Sequence, residues 1–144
     1  MSLFSLPNEK CACRDFNSVR KFFAEKIGYD VFEKGAEQAL SDYCNSLGIY
    51  HTSETVTCYA NDGSTYERVV AYVNDVKQFR IAAGKDPDAE FVVSCDKGQG
   101  KVIIIMQDDD GEVYLLAVLD DADENQPNID MMLTKLKFPF KGRF

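Results

Sequence analysis

Apolar residues follow two rhythms along this chain, and the switches between them predict its elements. Val19, Phe22, Phe23 and Ile27 recur three and four positions apart, which predicts a helix from about Asp15 to Ile27, stopped at Gly28. Asp30 followed by Glu33 is a reciprocal capping signature. It opens a second helix with Phe32, Ala36, Ala39, Leu40, Tyr43, Cys44 and Leu47 on its apolar face, closed by Gly48. From Thr55 the rhythm shortens: Val56, Cys58 and Ala60 alternate with Thr55, Thr57 and Tyr59, as in a half-buried strand. Asn61-Asp62-Gly63 is a turn. Ser64-Thr65-Tyr66-Glu67 then reads as a capping box, and Tyr66, Val69, Val70, Val73 and Val76 continue at helical spacing. A third, long helix is expected over about 64–83, ended by Gly84.

Three β-rich runs follow, within Ala89 to Asp120. They are divided by Asp96-Lys-Gly-Gln-Gly100 and by a second turn holding Asp110-Gly111, which predicts an antiparallel meander. A two-residue turn at Asp110-Gly111 sets Ile105 opposite Leu116, Ile104 opposite Ala117, Ile103 opposite Val118 and Val102 opposite Leu119. Both faces of that hairpin are apolar, so both need a cover from the rest of the chain or from a second copy. Asp120 to Asn128 reads as an acidic loop, and Ile129 to Leu136 as a short helix. The expected fold is α+β. Two N-terminal helices and a third long one pack on a four-stranded, mainly antiparallel sheet. The whole of 1–144 is expected to form one domain, with an arm over 1–14 and a tail over 137–144.

Composition narrows the function classes. Net charge is −8 and the apolar share 45%, an ordinary globular value at a strongly acidic balance. Such a chain is poorly suited to neutralise phosphates, so neither direct nucleic-acid binding nor an anionic membrane surface is expected. Five scattered cysteines and no secretory pattern at the start suggest reduced thiols and a cytoplasmic setting.

Carboxylates are the sharpest chemical feature. An antiparallel meander brings Asp86, Asp88 and Glu90 to the same sheet end as Asp108, Asp109, Asp110 and Glu112. Asp120, Asp121, Asp123 and Glu124 collect at the other end. Asp121-x-Asp123-x-Asn125 starts like a calcium loop, but Gln126 stands where Gly belongs and Met132 where the bidentate Glu belongs, so no metal is expected there. Cys11, Cys13, Cys44, His51 and Cys58 lack paired zinc-knuckle spacing. His51 is the sole histidine, so Cys–His chemistry requires it to meet Cys58. Gly98-Gln99-Gly100-Lys101 lacks the rest of a phosphate loop. The tail interleaves Lys135, Lys137, Lys141 and Arg143 with Phe138, Phe140 and Phe144. At this net charge it reads as an arm facing acidic loops rather than as a nucleic-acid platform.

These residues point to a non-catalytic, cofactor-free binding protein, expected as a homodimer. Its carboxylates would occlude a basic protein surface, as an inhibitor or regulator of a nucleic-acid-binding protein does. The second reading is a small-molecule or nucleotide binder, with Tyr43, Tyr66 and Tyr72 stacking in a pocket between helices and sheet or between subunits.

Overall fold

A computed structural model describes residues 16–86, 91–108, 113–121, 123 and 125–136. In chain order the elements are α1 (Phe16–Ile27), α2 (Ala36–Leu47), β1 (His51–Tyr59), β2 (Thr65–Val73), α3 (Val76–Ala82), β3 (Phe91–Gly98), β4 (Lys101–Asp108), β5 (Val113–Asp120) and α4 (Gln126–Leu136). The described strands form one sheet in the order β1-β2-β5-β4-β3, antiparallel at every pairing. The α+β class holds, with five described strands where four were expected.

The added strand replaces most of the third helix. Residues 65–73 form β2, paired with β1 from Tyr59↔Thr65 to His51↔Val73. Only Val76–Ala82 is helical, and its N-cap is Asp75, which accepts from the Gln78 N–H at 3.1 Å. Ser64 opens no helix. Its N–H and hydroxyl both donate to Asp62 Oδ1, at 2.9 and 2.6 Å, and so fold the hairpin turn. The β-branched Thr65, Val69, Val70 and Val73 suit a pleated, half-buried surface better than a helix.

The second helix also starts late. Glu33 does reach back to the Asp30 N–H (3.3 Å), and Asp30 accepts from the Phe32 N–H (3.1 Å). That turn ends at Gly35, and α2 begins at Ala36. Its far end is as expected: Gly48 has φ 70, and the Ile49 N–H donates to the Cys44 carbonyl at 3.1 Å. Pro127 proves no barrier to α4, because a proline in a first turn gives up no intrahelical bond.

Within the meander, Val102↔Leu119, Ile103↔Val118 and Ile104↔Ala117 pair as expected. Beyond Ile104 a register shift sets Ile105 against Leu115 rather than Leu116, and Met106 against Tyr114. Leu116 is the extra residue of a β-bulge. The β3–β4 turn is Gln99-Gly100, with φ 51 and 72, the left-handed pair that a two-residue hairpin demands.

Both sheet faces are covered by this chain itself. Ser53 and Glu54, neighbours on β1, show how: Ser53 Oγ donates to Glu37 of α2 (2.7 Å), while Glu54 pairs with Lys135 of α4 (3.1 Å). Successive strand residues point to opposite faces, so α2 and α4 lie on opposite sides of the sheet. On the α2 side, Phe22, Phe23, Tyr43, Phe79 and Tyr114 form a continuous aromatic chain with centroid spacings of 5.4, 5.5, 6.2 and 5.6 Å. It ties α1, α2 and α3 to β5. Val102 to Met106 and Leu115 to Leu119 are fully buried as a result.

Candidate functional site

The two ends of the sheet that carry the carboxylates differ in kind. At one end, Phe91 pairs with Asp108 and Gln107 with Val113. The start of β3, the end of β4 and the start of β5 therefore meet there, as the meander requires. Asp86 is exposed, and Asp108 closes β4. Asp88, Glu90, Asp109, Asp110 and Glu112 lie outside the described residues. At roughly 3.3 Å per residue, the eight residues of β4 hold the two ends roughly 25 Å apart.

At the other end the described carboxylates are bonded internally, and Glu124 lies outside the described residues. Asp120 pairs with Lys101, its cross-strand neighbour on β4, and accepts from the Ala36 N–H at 2.9 Å. Gly35 offers no capping side chain, so Asp120, 84 positions along the chain, caps α2 in its place. Asp121 turns to the opposite face. Only 1% exposed, it accepts from the Tyr66 hydroxyl, from Asn128 Nδ2 (2.7 Å) and from the Asp123 N–H (2.9 Å). Its own N–H donates to the Gly100 carbonyl (2.8 Å). Asp123 accepts from Asn61 at 3.1 Å. Two consecutive aspartates thus fasten one helix to each face. Sequence reasoning grouped Asp120, Asp121 and Asp123 with the docking carboxylates; the structure brings Asp120 and Asp121 together as internal anchors.

Asn128 completes this end and was not singled out from the sequence. Fully buried, it accepts from the Tyr59 N–H through Oδ1 (2.8 Å) and donates to the Tyr59 carbonyl through Nδ2 (3.1 Å). Asn125 donates to the same carbonyl at 2.6 Å and caps α4 by accepting from the Asn128 N–H (3.2 Å). The only available signal was an Asn three residues after another Asn. Nothing local announces that its amide will stand in for a strand.

The three tyrosines of the second reading are not brought together. Tyr43 is buried in the aromatic chain on the α2 side. Tyr66 and Tyr72 belong to the α4 side, bonded to Asp121 and to Glu54 (2.6 Å) respectively. Burial, together with the Glu54 carboxylate, raises the Tyr72 phenol to about 12.

His51 and Cys58 stand at opposite ends of β1, roughly 23 Å apart at the strand rise and on opposite faces, so they form no nucleophile–base pair. Burial, then the charge of Asp121, pushes the Cys58 thiol up to about 11, the reverse of activation. Cys44 is buried in α2, and Cys11 and Cys13 lie outside the described residues. Among the described residues, no three His, Cys, Asp or Glu side chains come together to hold a metal ion, and no helix is long and apolar enough to cross a membrane.

Comparison with family models, with curated proteins and with solved structures finds no match for this chain.

Proposed function

We propose that this is a non-catalytic binding protein that docks a basic surface of a protein partner through the sheet end carrying Asp86 and Asp108. The observation that carries the reading is the Phe91↔Asp108 register. It sets the start of β3 beside the end of β4, and the segments leaving these strands contain Asp88, Glu90, Asp109, Asp110 and Glu112. Asp120 and Asp121, at the other end, are committed to internal bonds, which leaves docking to this end. With a net charge of −8, the molecule attracts a basic partner at long range and repels phosphate.

The mechanism is electrostatic steering followed by occlusion of the partner's basic surface, such as the nucleic-acid site of an enzyme or regulator. The test is to replace Asp108, Asp109 and Asp110 together by Lys and to measure capture of basic proteins at low salt. Binding is abolished if the reading holds. Unchanged affinity contradicts it.

A further inference from the structure

The outer edge of β1, unpaired among the described residues, carries an inference that goes beyond the acidic sheet end, because β1 and β3 are the opposite edges of the described sheet. The Ala60 N–H donates to the Ser64 carbonyl, so Ala60 faces β2 and Tyr59 faces away. The Asn128 and Asn125 bonds to Tyr59 confirm that direction. By alternation, the backbone groups of Thr57, Thr55, Ser53 and His51 also point outward. Among the described residues, nothing bonds the N–H or C=O groups of Ser53, Thr55 or Thr57. The edge is nine residues long, pairs with β2 without a bulge, and contains no Pro, Lys or Arg. Those are the usual devices that keep an edge from pairing. Its single carboxylate, Glu54, is turned aside to Lys135.

We infer that a second copy of this chain pairs antiparallel along β1, joining two five-stranded sheets across a two-fold axis at Ser53. The sequence of the edge selects that register. Outward residues must face outward residues, which leaves few choices. Centring on Thr55 sets His51 opposite Tyr59, where Asn125 and Asn128 already occupy the space. An axis at Glu54 opposes two like charges directly. Centring on Ser53 avoids both: Ser53 meets Ser53, His51 meets Thr55 and Glu54 meets Thr52. It also lays Tyr50 across Val56 of the copy. Tyr50 is 86% exposed, the most exposed large apolar side chain among the described residues, and this contact gives it a partner. The interface is isologous and closed, and it ends where the asparagine lock begins.

Sedimentation equilibrium of the full chain, with Ser53→Pro and Thr55→Lys beside it, tests this. Proline at Ser53 removes an outward N–H and leaves the β1–β2 ladder intact. Lysine at Thr55 changes only an exposed side chain. The expected result is twice the chain mass for the wild type and the single-chain mass for both variants, with unchanged circular dichroism. A wild type that stays monomeric at every concentration overturns the inference. So does a Thr55→Lys variant that keeps its fold and dimerises as tightly as the wild type. Neither outcome bears on the carboxylate end, whose charge-reversal test is read separately.

Discussion

The Asn128 side chain stands beside Tyr59 as a one-residue strand, accepting its N–H at 2.8 Å and donating to its carbonyl at 3.1 Å. The same amide donates to the buried Asp121 carboxylate at 2.7 Å. Removing it takes the partner of the Tyr59 N–H and one bond each from the Tyr59 carbonyl and the buried Asp121 carboxylate, which keep their other donors. Asn128→Ala is therefore expected to cost about 2–4 kcal/mol in urea unfolding, since an unmet buried group costs about 1–3 kcal/mol and each further lost hydrogen bond about 1 kcal/mol. Asn125→Ala, which loses the α4 cap and one bond to the Tyr59 carbonyl, should cost about 1 kcal/mol. A loss at Asn128 no larger than that at Asn125 would contradict the lock.

Asp120 carries two duties that mutation can separate. Asp120→Asn keeps an acceptor for the Ala36 N–H but loses the charge paired with Lys101, whereas Asp120→Ala loses both. The alanine variant should be the less stable of the two by about 1 kcal/mol, the usual worth of a helix cap. Equal stabilities would mean that Asp120 does not cap α2.

Much of this fold was legible because local and tertiary signals agree there. Gly28 and Gly48 end α1 and α2 as read, both with positive φ. The three meander strands pair antiparallel in the order read, joined at Gln99-Gly100, and the α4 stripe of Ile129, Met132 and Leu136 is buried. β2 was not legible, because Ser64 and Glu67 imitate a capping box while Val69, Val70, Val73 and Val76 satisfy helical spacing. Pairing with β1 and β5 overrides that local signal. The bulge at Leu116 was equally hidden, since apolar residues on both faces leave no polar position to mark a one-residue slip. At the candidate site, composition could place Asp120 and Asp121 at one sheet end. That they point to opposite faces depends on a tyrosine, an asparagine and a helix N-terminus far along the chain.

Acid should weaken the fold through named pairs. Hydrogen bonds from Tyr72 and Lys135 hold the Glu54 carboxyl below its usual range, and Arg20 does the same for Asp30. A group whose folded pKa is depressed stabilises above its unfolded value and loses that contribution as pH falls through the folded one. The loss therefore begins near the ordinary values of 4.5 for Glu54 and 3.8 for Asp30 and continues below them. Urea midpoints taken from neutral to acid pH should show a shallower acid decline for Arg20→Gln than for the wild type. Parallel profiles would remove the Arg20–Asp30 pair as a cause.

Thiol chemistry offers an independent check on burial. Desolvation pushes Cys44 up to about 12, and desolvation followed by the Asp121 charge pushes Cys58 up to about 11. At mild alkaline pH both should resist alkylation in the native protein and react on unfolding, as read by peptide mass mapping. Native labelling of Cys58 would mean that the β1–α4 lock opens readily.

The central claim gives the two carboxylate ends different work, and the salt dependence of partner capture tests it most directly. Capture of basic proteins should be measured at low and high salt for the wild type, for the Lys triple variant at Asp108, Asp109 and Asp110, and for Asp120→Asn. The account predicts capture that falls steeply with salt in the wild type and in Asp120→Asn, and is absent from the triple variant. Capture that is indifferent to salt and survives the triple charge reversal would contradict it.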